Sequence, residues 1–465
     1  MMSPTPDQVT SILPASSPAM RGKMRHPWLT VACLVLLAYA VLGKGAGYIG
    51  LPPIFIGEAL LAAGIVALLA FGAITPARMP AILWCVLLFG AWGLARTVPY
   101  ISAYGVDALR DAVIWGYSAF AFIWFFYLVD DPRHLVAILR NYRRFATLAL
   151  VGMAAFWTVR FFLADQTPKW PWADVPIIEL KPGDIMVHLA GILAFWITCP
   201  AASTVGLFRQ SLLALSAGIM GAYERAAMFA FVAVFCLCWA FRPGHPILVR
   251  LSLMAVLALA ALGISGIVME VPVADSSKIR EISFQQFASN ISGVFHSTDV
   301  GDLDDTKEWR LAWWGEIVSY TFKREGGDYF WRGKGFGVNL ADDDGFQVMQ
   351  DHSLRSPHNA NMAILARTGV PGLALWIIMQ IGWVCAMASA LFKSLRRGDT
   401  QWAGLFLFLL AYWLACIINS SFDVFLEGPM GGIWFWTIFG VGLAARHIWK
   451  RDPELLRDYA NPYCP

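Results

Sequence analysis

Long apolar runs separated by short polar ones organise the whole chain. Twelve stretches read as membrane spans, at about 27–43, 54–72, 80–95, 111–129, 145–164, 185–206, 210–222, 226–241, 247–269, 370–392, 402–418 and 430–448, each near the roughly 20 apolar residues that cross a bilayer. Backbone polar groups in lipid must be satisfied within their own segment, so the pattern predicts an all-α integral membrane bundle. The stretch 210–222 is short, and with 226–241 it reads equally as a broken or re-entrant hairpin. One polar interval, 270–369, is too long for a connection without structure or function. Within it Ile282, Phe287, Ile291 and Phe295 recur near helical spacing, which predicts a helix lying on the membrane surface. Asp305 and Glu308 resemble a capping box opening a second helix over roughly 307–323, rich in tryptophan (Trp309, Trp313, Trp314). The five glycines of 326–337 predict turns.

Charge orients these spans. Arg78, the Arg133/Arg140/Arg143/Arg144 cluster, Arg242/Arg250, Lys393/Arg396/Arg397 and Arg446/Lys450/Arg451 all fall on one face, together with Arg21, Lys23 and Arg25. The positive-inside rule makes that face cytoplasmic and both termini internal. The expected organisation is a polar tail (1–26), spans one to nine (27–269), an extracytoplasmic loop (270–369), three further spans (370–448) and a C-terminal tail (449–465). The apolar stretch after the tail is taken as an uncleaved first span, because no A-x-A cleavage signal precedes a soluble domain. Composition agrees: 58% of residues are hydrophobic and 14% charged, against about 25% charged in soluble domains. A net charge of +3 without a basic run gives no reason to expect a nucleic-acid partner. The eight cysteines lie mainly inside apolar segments and none in the long loop, so a disulfide framework is not expected.

Three sites carry candidate chemistry. Ser356-Pro357-His358-Asn359 precedes the tenth span, and nine residues separate Asn359 from Gly369-Val370-Pro371-Gly372. Histidine serves as a general base where a hydroxyl must be activated. Position alone favours the plainer role of an interfacial histidine, with the glycines easing helix packing. Arg225, beside Glu224 at the start of the eighth span, places a cation next to free helix N–H groups, a ready diphosphate site. Pairing with Glu224 or snorkelling to headgroups accounts for it equally well. Arg310 offers a planar fork for phosphate oxygens, with Trp313 and its neighbours as faces for sugar rings, although interfacial tryptophans and an Arg310 ion pair with Glu308 or Glu316 explain the segment alone. The glycine run 333–337 does not match a phosphate-binding P-loop. Asp342-Asp343-Asp344 suggests a solvated turn, and His352 and His358 lack a third ligand at zinc-like spacing.

Taken together these residues resemble the O-antigen ligase superfamily, which includes O-antigen and exopolysaccharide polymerases. Its motif His-[Asn/Ser/Gln]-x9-Gly-x-x-[Gly/Thr/Tyr] is complete in His358, Asn359, Gly369 and Gly372. Its Arg-x3-Leu motif is represented by Arg225, with Phe229 in place of leucine; Arg144-x3-Leu148 also fits but lies on the cytoplasmic side by charge. The segment from Glu308-Trp309-Arg310 to Gly333-x-Gly-x-Gly is similar to the family's loop segment bearing a second arginine, and the likeness spans roughly 210–380. The resemblance implies a GT-C-like bundle in a bacterial inner membrane with its active face in the periplasm. It implies an undecaprenyl diphosphate-linked glycan as donor, held by Arg225 and Arg310, with His358 activating an acceptor hydroxyl and Glu224, Asn359, Trp313, Gly369 and Gly372 supporting. Membrane lipid is the medium, the acceptor is lipid A-core or another glycan, and neither metal nor cofactor is implied. Ligation and polymerisation share this chemistry. A polysaccharide transporter is the weaker alternative, because transporters concentrate ionisable residues at mid-membrane, and only His188 and Arg160 are candidates for that here.

Overall fold

The computed structural model describes residues 27–70, 76–198, 205–265, 269–272, 279–282, 301–323 and 328–457. Among the described residues helix is the main element of each of the twelve apolar stretches. The long helices are α1 (Pro27–Leu42), α2 (Ile56–Ala70), α3 (Ala81–Thr97), α4 (Ala119–Asp130), α5 (Arg133–Phe162), α6 (Pro182–Thr198), α7 (Leu207–Tyr223), α8 (Arg225–Phe241) and α9 (Pro246–Ser265). They are followed by α10 (Gly301–Phe322), α11 (Ala360–Arg397), α12 (Thr400–Ser420) and α13 (Pro429–Arg451). Among the described residues five helical segments are long and apolar enough to cross a membrane, and the others are shorter or less apolar. The chain is a mostly helical membrane protein.

Helix α6 is buried along its whole length and packs against α7, α8 and α12, so the bundle is built round it. Leucines and valines on α2, α3, α5 and α9 point outward, as they do where the surrounding medium is lipid rather than water. Proline opens α1, α6, α9 and α13, a position where its missing N–H costs nothing.

Several boundaries differ from the hydropathy reading. The Arg133/Arg140/Arg143/Arg144 cluster is not a loop: it forms the first turns of the 30-residue α5, since arginine is a good helix former and its head can reach past the apolar region. The fourth stretch is broken at Tyr117 and Ser118. A single residue, Glu224, separates α7 from α8, so the hairpin consists of two helices with a minimal turn. In the long loop, Asp305 lies inside α10 rather than capping it. Ile282 ends a strand (279–282) paired antiparallel with 269–272, and Phe287, Ile291 and Phe295 lie outside the described residues. The glycine run is not all turn, because Asp328–Arg332 is a short helix. A small second core joins Trp313, Ile317 and Tyr320 of α10 to Leu340, Ala341 and to Leu365 and Ala366 of α11.

Candidate functional site

The site is built on a kink. Gly369 interrupts α11 with φ 69° and ψ −171°, and Pro371 follows. Proline has no N–H to offer the carbonyl four residues back, so the Arg367 carbonyl is open and Gly335 N–H donates to it at 2.9 Å. Lys334 N–H takes the Ala366 carbonyl at 2.7 Å, and the Trp92 indole takes that of Thr368 at 2.9 Å. A Cβ on Gly369 would lie 2.6 Å from the Phe330 carbonyl oxygen, and one on Gly335 2.3 Å from the Tyr100 ring. The two glycine motifs are therefore halves of one joint that docks the loop on the bundle. Arg367, 2% exposed, secures it by pairing with Asp111 at 3.1 Å.

That joint presents residues 355–359 under constraint. His358 sits at φ 52°, a left-handed conformation that costs a non-glycine residue on the order of 1–3 kcal/mol and persists only where neighbours enforce it. The neighbours are identifiable. Arg355 pairs with Asp111 at 2.9 Å, Ser356 donates to Glu427, and the Trp314 indole donates to the Pro357 carbonyl at 2.8 Å. The Asn359 side chain accepts from the N–H groups of Asn361 and Met362, capping α11. Asn359 is thus a helix cap.

His358 faces Asp423. Its Nδ1 lies 3.3 Å from Asp423 Oδ1, and Asp423 stands in the turn after α12. A carboxylate at Nδ1 selects the tautomer with the proton there, leaving Nε2 with its lone pair. Lys181, just before α6, reaches the same carboxylate at 3.3 Å. Burial opposes the Asp423 charge, but Lys181 and His358 hold its carboxyl well below the ordinary range. Burial likewise opposes the Lys181 charge, and Asp423 with Asp184 raises it above the ordinary lysine value. Asn419, on α12, donates to Asp184 at 3.4 Å. Glu224 enters from the α7–α8 turn, where Gly183 leaves room: a Cβ there would lie 3.1 Å from Glu224 Oε2 and 2.5 Å from Asn419 Oδ1. Burial first, then the Asp423 charge, pushes the Glu224 carboxyl up to about 7.

Arg310 joins this group from α10, donating to the Phe422 carbonyl at 3.1 Å, next to Asp423. Its Nε is buried without a hydrogen-bond partner among the described residues. Its charge is felt by Glu224, and the carboxylates of Asp423 and Glu224 favour its charged form. Arg225 is the first residue of α8 and half-buried, directly after Glu224. Phe229, the apolar position of that motif, is 44% exposed and faces away from the protein core. Trp313 does not offer a face to a sugar: it is buried in the loop core, stacks on Phe346 and donates to Asp344. The aspartate run is no solvated turn either, since Asp343 and Asp344 clasp Lys334. His188 bonds the Tyr412 hydroxyl at 2.7 Å, and Arg160 bonds the Leu180 carbonyl. His352 pairs with Asp342. Among the described residues no three His, Cys, Asp or Glu side chains gather as a metal site.

The sequence model of the O-antigen ligase family matches residues 210–377. That segment belongs to the O-antigen ligase superfamily. No curated protein matches the chain. The O-antigen ligase segment contains Glu224, Arg225, Arg310, Trp313, His358, Asn359, Gly369 and Gly372. It does not contain Lys181, Asp184, Asn419, Asp423 or Glu427, the partners that the fold brings to the O-antigen ligase residues and that sequence reading passed over. Lys181, Asp184 and Asp423 stand at span ends, where charged side chains reach the interface at little cost, so their position marks no site.

Proposed function

We propose that the protein is a glycosyltransferase of the O-antigen ligase kind, working on the periplasmic face of a bacterial inner membrane. It transfers a glycan from undecaprenyl diphosphate to an acceptor hydroxyl, with lipid A-core as the acceptor. The observation that carries this reading is the His358–Asp423 pair lying within one ion cluster with Arg310 and Lys181. His358 Nε2 removes the acceptor proton, the acceptor oxygen attacks the anomeric carbon with inversion, and the bond from that carbon to the diphosphate oxygen breaks. The electron pair leaves with undecaprenyl diphosphate, whose growing charge meets Arg310, Arg225 and the N-terminus of α8. Arg310 Nε, without an acceptor among the described residues, is free to bond a phosphate oxygen. These fixed cations take the place of a metal in the proposal, so transfer should persist in excess chelator.

Charge placement supports transfer over transport. Lys181, Glu224, Asp423 and Arg310 stand at helix ends or outside the spans, whereas transport pathways need ionisable groups across the midplane. The test is reconstitution of the purified protein with a polyprenyl diphosphate-linked glycan and lipid A-core. Expected is a glycosylated lipid A-core and released undecaprenyl diphosphate. A product made of joined repeat units would identify a polymerase, and glycan crossing the bilayer without a new bond would overturn the reading.

A further inference from the structure

The Arg144-x3-Leu148 pattern, which the transfer site leaves unused, lines a cavity of its own. The cavity has a volume of about 290 Å³ and lies between α1, α4, α5 and α13, with walls mostly of leucine and aromatic side chains. Asn141, Tyr142 and Arg144 bring polar groups to its lining from α5. It occupies the half of the bundle away from His358. Arg160 marks the site end of α5 by bonding Leu180, beside Lys181, and Arg144 lies about 24 Å earlier along a helix that rises 1.5 Å per residue. Leu34 and Leu148, 61% and 58% exposed, border its open side, where the medium around a membrane bundle is hydrocarbon.

Arg144 is exposed at this cavity, and among the described residues no carboxylate pairs with it, whereas Arg133 on the same helix is held by Asp131 at 2.8 Å. Arg140 and Arg143 stand within about one turn of it, and Arg209 comes in from α7 to Thr147 at 3.3 Å. An apolar slot opening to lipid below a cluster of arginines matches one molecule with an acyl chain and a negative headgroup. We propose that this cavity binds an anionic glycerophospholipid, with one acyl chain between α1 and α5 and the phosphate on Arg144. Leu29 to Leu37 line the slot over about 12 Å of α1, a run along which an extended chain can lie. The guanidinium fork suits the phosphate oxygens, and the Asn141 amide adds a neutral donor. A zwitterionic headgroup would bring its ammonium among the arginines, so the site discriminates by charge.

The experiment is native mass spectrometry of the purified full chain with equimolar phosphatidylglycerol and phosphatidylcholine of identical chains. Phosphatidylglycerol should be retained about fivefold over phosphatidylcholine, the factor expected for one basic residue near an anionic lipid. Arg144→Gln should abolish that preference while a lipid still binds. Cys33→Trp, which fills the slot from α1, should remove the retained lipid of either kind. Equal retention by the wild type, an unchanged preference in Arg144→Gln, or displacement by polyprenyl phosphate at equal concentration would overturn the proposal.

Discussion

Ser356 donates a hydrogen bond to Glu427, and this fixes the chain two residues before His358 to the turn that carries Asp423. Both halves of the His358–Asp423 pair are therefore tied to each other a second time. Burial pushes the Glu427 carboxyl up, and the charge of Arg367 with the Ser356 bond works the other way. The strained φ of His358 needs such enforcement.

Ser356→Ala should leave the protein folded and lower kcat without a matching change in donor affinity. Small misplacements at a reacting centre cost up to about 100-fold in rate, and a fall within that limit is expected. Single-turnover kinetics on saturated enzyme reads it; an unchanged rate would mean that the remaining contacts hold His358 alone.

Arg310→Ala should reduce transfer strongly and weaken donor binding. Arg310→Lys should recover only part, because an ammonium does not reproduce two parallel bonds to phosphate. Titration of both variants with a soluble polyprenyl diphosphate analogue separates the binding loss from the rate loss. Donor affinity equal to wild type in Arg310→Ala would remove this side chain from the donor site.

The bundle was legible because its apolar runs are long, and among the described residues helix is the main element of each, five of the helical segments being long and apolar enough to cross a membrane. His358 was singled out by a motif of fixed spacing, Arg225 by an incomplete one and Arg310 by the likeness of its loop segment, and the fold brings His358 and Arg310 to the turn that carries Asp423. Asp423 and Lys181 were not legible, since nothing local marks them: Lys181 lies 242 residues from Asp423, and only packing of α6 beside α12 joins them. Asn359 was legible as a motif member and Trp313 as part of a tryptophan-rich helix, but capping and burial depend on the neighbouring backbone and the loop core. The arginines of α5 misled for the opposite reason, since charge marks where a span leaves the membrane and not where a helix ends.

Gly335→Ala should destabilise the protein more than an ordinary surface change. Its φ of 82° already disfavours a side chain, and the new Cβ would meet the Tyr100 ring. The left-handed conformation alone costs about 1–2 kcal/mol, so a lower apparent Tm and faster proteolysis of the loop are expected. Gly398→Ala, at φ 76° but with open space around the Cβ, is the matched control. It should lose less.

Glu224 gives a pH dependence with a definite sign. Its carboxyl is raised to about 7 in the fold, above the roughly 4.3 of an unperturbed glutamate. Between those values the folded protein binds more protons than the unfolded chain, so stability falls as pH rises. This contribution is complete below about pH 4.3 and is lost on passing through about 7. Apparent Tm should decline from pH 5 to 8, and Glu224→Gln should flatten the decline. A slope identical to wild type would place the responsible group elsewhere.

The sharpest prediction concerns His358 and Asp423 together. A general base contributes about 10²–10⁴-fold in rate, so His358→Gln should lose activity on that scale while still binding donor. In the wild type the rate should fall as the medium is acidified, because a protonated imidazole has no lone pair for the acceptor proton. Asp423 does not produce this limb: Lys181 and His358 keep its carboxyl ionised well below the ordinary range. Asp423→Asn should also be slow, since an amide can accept or donate and no longer selects the tautomer that leaves Nε2 basic. Its residual rate should keep the acidic fall, whereas that of His358→Gln should lose it. A histidine that served only as a cation for diphosphate would show the opposite slope, with activity rising on acidification. One that merely packs at the start of α11 would leave His358→Gln close to wild type at every pH. The pH–rate profiles of the three proteins, measured at saturating donor, therefore give a different set of curves for each role.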